Sequence, residues 1–310
     1  MISSNNKQIL IAGGTGLIGK ELTIALLNHG YDVVILSRHA TGSGKRLPQR
    51  VSAIEWNGEF TTWLVREVEK SYAIINLAGE GIAAKPWTRR RRMQLIRSRL
   101  GITRSLAKAC HFAKRKPEVF VQGSAIGIYP FSDNEVLNEN SQHGSGFLAR
   151  LTSDWETVAK VEIPDEIRLV IVRTGMVLST NGGMLPKLAK PVKYFVGAWF
   201  GTGNQPVSWV HISDEVKAII HLMHSENASG EFNIVAPNPI TQKQLVKEIA
   251  KLLSRPAWLS IPALPLKWAM GQMAEELLLN GSKVDPKRLI DSGYEFSFPE
   301  IKGALSDLLK

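Results

Sequence analysis

The chain has 310 residues, a formal net charge of +10, 44% hydrophobic and 21% charged residues, and one cysteine, Cys110. This composition excludes a disordered chain and an intramolecular disulfide, and it argues against a cysteine-built metal site. The start MISSNNKQILIAGG lacks the pattern of a secretory signal and no apolar run reaches membrane-spanning length, so a soluble, cytoplasmic protein with no membrane partner is expected.

Taken in chain order, QILIAGG (8–14) is a short apolar run ending in glycines. LIGKELTIALLNHG (17–30) has helical spacing with a glycine stop, and YDVVILSR (31–38) is β-branched again. The three make a βαβ unit. SYAIINLAG (71–79) is another buried strand, followed by a helix expected from about Thr88 to Lys114 that tolerates Gly101. EVFVQGSA (118–125) and RLVIVRTGMVL (168–178) give two further strands, with a helix over GFLARLTSDWETVAK (146–160) between them. Near-continuous apolar strands separated by helices predict a parallel sheet covered on both faces. Beyond Leu178 the pattern loosens into loops, a strand at 207–212 and a helix from about Ser213. Helices separated by prolines follow, with Thr241 as an N-cap. The expected division is 1–235 for the sheet domain, with an insertion at about 181–206 on the substrate side, and 236–310 for a smaller, mostly helical part.

The positive charge gathers in PWTRRRRMQLIRSR (86–99) and HFAKRK (111–116), both helical in pattern. Without a nucleic-acid motif beside it, this charge reads as a solvated helix face, and no nucleic-acid partner is expected.

AGGTGLIGK places Gly13, Gly16 and Gly19 between a strand and a helix. Gly13 suits the tight turn, Gly16 the approach of a pyrophosphate to the backbone, and Gly19 close helix-to-strand packing, with the helix N-terminus favouring the negative charge. The second strand ends in Ser37-Arg38, with Lys45 and Arg46 beyond, where an NAD-binding protein typically has an acidic residue for the ribose diol. Arginine pairs with a 2′-phosphate that a carboxylate would repel, so NADP(H) is expected over NAD(H).

GGTGLIG, NLAGEGI, PWTRRRRMQLIRSRLGITRSL, SAIGIY, WETVA, VRTGMVLSTNGGML and GTGNQPVSWVHISDEV together resemble the epimerase-like atypical short-chain dehydrogenase/reductase family over essentially the whole chain. The tail from RPAWLSIPALPLKW onward is similar to the small C-terminal domain of that group. The resemblance implies an α/β, extended Rossmann fold: a doubly wound parallel sheet with a smaller, mostly helical C-terminal substrate domain, and NADP(H) as cofactor. Carried over to matching positions, Gly13, Thr15, Gly16, Leu17 and Ile18 would hold the pyrophosphate. Ser37 and Arg38 would hold the 2′-phosphate, and Leu77, Ala78 and Gly79 the central ribose region. Arg99 and Gln94 would face the cofactor cleft, and Arg173 and Val177 would contact the nicotinamide. Gln205 and Trp209 would line the substrate pocket.

Relatives of this kind use serine, tyrosine and lysine, the last two spaced Y-x-x-x-K so that both share one helical face. None of the five tyrosines has the lysine: the residues four beyond them are Ile35, Asn76, Asp133, Ala198 and Phe298. Aligning on the WE at 155–156 puts Leu148 at the tyrosine position and Thr152 at the lysine position. Ser124 matches the serine that orients a substrate carbonyl, and Tyr129 is a candidate substitute acid. In WVHISDE, His211 is read as a strand residue and Asp214 as the residue that caps or ties down the next helix. The histidines show no ligand spacing, and no metal is proposed. Three functions stay open: an NADP(H)-dependent oxidoreductase or epimerase on a small polar, sugar-nucleotide-like substrate; a catalytically weak NADP(H)-binding regulatory protein; and a nucleic-acid binder using the arginine run. A homodimer through a helix pair is expected only by analogy with the fold.

Overall fold

A computed structural model describes residues 8–38 and 47–310. Its frame is a sheet of seven strands: Gln8–Ala12 (β1), Asp32–Ser37 (β2), Val51–Glu55 (β3), Ser71–Asn76 (β4), Val119–Ala125 (β5), Arg168–Thr174 (β6) and Gly230–Ile234 (β7). Their order across the sheet is β3-β2-β1-β4-β5-β6-β7, and every neighbouring pair is parallel. The chain reverses direction across the sheet between β1 and β4. In open parallel sheets that switch point, at the carboxyl ends of the strands, is where ligands bind.

The central strands are buried on both faces because helices cover both. Ile9, Ile11 and Val121 point to one core beside the helices Leu17–Asn28 (α1) and Ile212–His224 (α7). Leu10, Ile74 and Phe120 point to the other, beside Thr62–Lys70 (α2) and Ile102–Phe112 (α4). The long basic helix begins as Arg89–Ile96 (α3), with the Thr88 side chain accepting from Arg91 N, and joins α4 through a π-helical turn at Arg97–Gly101. Such a turn inserts one extra residue into the helical path and is frequent at functional sites. Here it carries Arg99.

The stretch 168–178, read from its sequence as one strand, is divided at Gly175. Met176–Ser179 leaves the main sheet and pairs with Trp209–His211 and Gly182–Gly183. A Cβ at Gly175 would lie 2.6 Å from a Val235 methyl and 2.7 Å from Ser208 O, so the crossing admits only glycine.

The C-terminal part interlocks with the segments before it. Gly197–Phe200 pairs with Ala257–Ile261, Pro206–Val207 with Ile240–Thr241, and Ser132–Leu137 with Ser282–Val284. One apolar core is shared by Leu185–Lys193 (α6), Trp209, Gln242–Leu252 (α8) and the last helix, Ile301–Leu309. Thr241 caps α8 in a full capping box with Gln244. Among the described residues no helix is long and apolar enough to cross a membrane.

Candidate functional site

At the end of β1 the backbone turns at Gly13 with φ +87°. A Cβ there would lie 2.7 Å from the Leu77 carbonyl, and one at Gly19 would lie 2.4 Å from Gly13 O. Both positions exclude any larger residue, so α1 starts hard against the strand end. Gly16 stands at the N-cap of α1 with no side-chain cap, and the first turn holds no acidic residue. Gly16 N donates to Gly13 O in the turn, and the amide groups of Leu17 and Ile18 are left to face an incoming anion. Thr15 and Gly16 are exposed at the mouth, while Leu17 and Ile18 line the cleft.

The next wall is the exit of β4. Leu77 N donates to Ala12 O, and Ala78 N to Asn76 Oδ1. The amide of Asn76 is anchored on Thr103 Oγ1 and Gln122 Oε1. Gly79 lets the Arg99 guanidinium come close; a Cβ there would sit 3.0 Å from its Cζ. Arg99 donates to Leu95 O and Glu80 O and lies 5.2 Å over the Trp155 ring. Burial, then the neighbouring Arg91, pulls its pKa down to about 10, which leaves it charged at neutral pH.

Arg38 follows Ser37 at the end of β2, and its side chain is 67% exposed. It pairs with Glu80 at 2.5 Å, while Arg91, nearly buried, holds the other Glu80 oxygen at 3.1 Å. The Arg38 hydrogen bond leads in holding the Glu80 carboxyl below its ordinary range. A side depression of about 420 Å³ beside Arg38 is lined by Trp56, Asn57 and Trp63, none of which stood out in the sequence. Lys45 and Arg46 lie outside the described residues.

The main cleft encloses about 630 Å³. On its floor the Ser124 hydroxyl donates to Glu156 Oε1 at 2.5 Å. Arg173 grips the same carboxylate through Nε to Oε1 and Nη2 to Oε2, each at 2.8 Å. Arg173 Nη1 donates to the Tyr129 hydroxyl, which donates in turn to Asn233 Oδ1 at 2.7 Å. Five side chains from three strands, one helix and one loop thus form a closed polar network under the cleft.

That network corrects three expectations. Tyr129 is 2% exposed; its ring forms part of the cleft wall, but its proton is engaged on Asn233, and burial raises its pKa, so it does not present an acid to the cleft. Arg173 does not reach the cleft, since its guanidinium is sealed in the ion pair with Glu156. Val177 also misses it. Side chains alternate along an extended chain, so Thr174 and Met176 line the cleft while Val177 packs toward the main core.

Two more residues fall elsewhere. Gln94 is exposed, accepts a long bond from Arg91 Nη1 at 3.3 Å and is not among the residues that line the cleft. Trp209 is wholly buried, donates to Asn238 O and packs in the C-terminal core, because its strand faces that core. Gln205 does line the cleft, with its amide donating to Phe200 O and Leu278 O. The cap of α7 is the His211 ring, which accepts from Ser213 N. Asp214 instead ties down the tail through Tyr294 OH, Ser297 N and Phe298 N.

Leu148 and Thr152, on the helix Phe147–Glu162 (α5), both line the cleft, as does Trp155. The N-terminus of α5 is capped from a distance. Glu276 accepts from Phe147 N and Leu148 N at 3.0 and 2.8 Å and from the Gln272 amide. A lone glutamate 129 residues away carries no local signal of this role.

The family described as NAD dependent epimerase/dehydratase matches residues 9–235, and a domain of unknown function, DUF1731, matches residues 261–308. The epimerase family protein YfhF of Bacillus subtilis is 33% identical over 302 residues, covering 97% of each chain. Epimerase family protein Mb2239 of Mycobacterium bovis is 33% identical over 303 residues, again covering 97% of each. Among solved structures, human epimerase family protein SDR39U1 with NADPH superposes with a TM-score of 0.84 at 30% identity, covering 97% of this chain and 98% of that one. With the glycine turn, the strand order and the C-terminal part all in place, the chain belongs to the NAD-dependent epimerase/dehydratase family and carries its extended short-chain dehydrogenase/reductase fold.

Proposed function

We propose that the protein binds NADP(H) and acts as an oxidoreductase or epimerase through a hydroxyl-bearing or carbonyl carbon, without the usual tyrosine and lysine. The observation that carries the cofactor half is the glycine cradle, where a Cβ at Gly13 or Gly19 would fill space that a close turn needs. Gly13, Thr15, Gly16, Leu17 and Ile18 hold the pyrophosphate, and Leu77, Ala78 and Gly79 border the ribose. Ser37 and Arg38 take the 2′-phosphate, with Arg38 exposed and able to redirect its fork from Glu80. Likeness to a human relative solved with NADPH supports the same choice. When bound, such a cofactor supplies or accepts a hydride at its nicotinamide ring.

The chain's own part is positioning. Ser124 gives its proton to Glu156, so its oxygen is left to accept a hydrogen bond from a ligand hydroxyl. Arg173 fixes Glu156 through two hydrogen bonds, which holds Ser124 in one rotamer. Arg99 contributes a positive charge on the wall at the β4 exit.

Fluorescence titration is expected to give NADPH an affinity about tenfold or more above NADH, from the charge-assisted contacts of the extra phosphate; equal affinities would remove the 2′-phosphate assignment. A regulatory reading rests on Leu148 and Thr152 standing where a proton relay would be. Tight NADPH binding with no NADPH oxidised across a panel of ketones and aldehydes would favour it.

A further inference from the structure

The face of the main cleft opposite the glycine turn is apolar. Phe131, Leu148, Met184, Leu188, Val207 and Leu278 all border it. Among the described residues that line the whole cleft, the only ionised side chains are Arg99 and Glu276. Glu276 is fully engaged: its two oxygens accept from the first amides of α5 and from Gln272. Arg99 lies against Gly79, on the wall of the β4 exit. The polar groups of the far side are neutral and largely committed as well, as with the Gln205 amide on Phe200 O and Leu278 O.

A sugar nucleotide brings two negative charges on its diphosphate. Such charges enter a closed site only with cations or several free donors to replace water. Among the described residues this side offers no cation, and Gln242 Nε2 is its one buried side-chain donor left unpaired, too few for a diphosphate, whereas burial of apolar surface gives about 25 cal/mol per Å². We propose that the substrate side takes an uncharged, largely apolar alcohol or its ketone, with the alcohol hydroxyl donating to Ser124 Oγ, and not a nucleoside-diphosphate sugar. The assignment departs from the sugar-nucleotide expectation and rests on the proposed dinucleotide site, which claims Arg99.

The test is calorimetric titration of the full chain with 1-tetralol, a neutral bicyclic alcohol, and with UDP-glucose, each with and without saturating NADPH. The expected result is 1-tetralol binding at least about tenfold tighter than UDP-glucose. Leu148→Arg and Leu278→Asp, both at partly exposed positions, should each weaken 1-tetralol at least about tenfold while NADPH affinity stays unchanged. Equal or tighter binding of UDP-glucose overturns the proposal, as does absence of 1-tetralol binding or indifference of that binding to both substitutions. If NADPH fails to bind while 1-tetralol binds and UDP-glucose does not, the cofactor assignment falls and the apolar site stands.

Discussion

The wall built by β1, α1 and the exit of β4 offers a ligand mainly backbone. Gly13 turns with positive φ, Gly19 lets the helix meet the strand, and the uncapped start of α1 faces outward. The opposite wall offers side chains brought from positions 131, 148, 184, 207 and 278, on separate elements. A backbone device tolerates almost no substitution at a few contiguous positions. A side-chain wall can be rebuilt one residue at a time, which is how Leu148 and Thr152 can occupy a tyrosine and a lysine position while the cradle across from them is intact.

The floor joins the two walls, and breaking it should have the largest effect. Glu156→Ala leaves the Arg173 guanidinium buried without its partner and should cost about 3–5 kcal/mol in urea unfolding. A loss under about 1 kcal/mol would mean that the floor does not couple the walls. On the backbone wall, Arg38→Glu should weaken NADPH by about tenfold to a hundredfold and leave NADH within about twofold, read by fluorescence titration. Equal losses would show that Arg38 supports the wall and does not read the phosphate.

Glu215, at the start of α7, is wholly buried; Thr174 Oγ1 donates to one oxygen and the other has no hydrogen-bond partner. Burial pushes its pKa up to about 8, with the Thr174 bond pulling partly back. The native carboxyl then holds a proton that the unfolded chain releases in the ordinary carboxylate range. Its contribution is complete at acid pH and is lost as pH rises toward about 8, at about 1.4 kcal/mol per pH unit. Thermal melts across that window should show a steeper decline for the parent than for Glu215→Gln; parallel curves would place the proton elsewhere. Thr241→Ala removes the cap of α8 behind the side-chain wall and should lower stability by about 1 kcal/mol, with NADPH affinity unchanged.

How legible each region is in the sequence follows the same division. The turn at 13–19, the strands β1, β2, β4 and β5 and the Thr241 cap were readable because their determinants lie within a few residues of one another. The strand β3 carries no such signal: it is a half-exposed edge, with a mixed burial pattern in place of an apolar run. The break at Gly175 was hidden inside a continuous apolar stretch, since only contact with Val235 and Ser208 makes it a crossing. Arg173 looked like a cofactor ligand because it ends a strand beside the site. The register that turns it onto Glu156, and turns Thr174 and Met176 into the cleft, is visible only when β5, β6 and α5 are packed together.

The sequence by itself determined the family, the phosphate-binding turn and the loss of the tyrosine and lysine, all of which depend on residue type at short, fixed spacing. Tertiary structure alone decided which way Tyr129, Arg173 and Trp209 face, that Glu276 caps a helix far away in the chain, and that the wall across from the glycine turn is apolar. Those properties arise where distant segments exclude water together, and no local pattern encodes which partners will meet there.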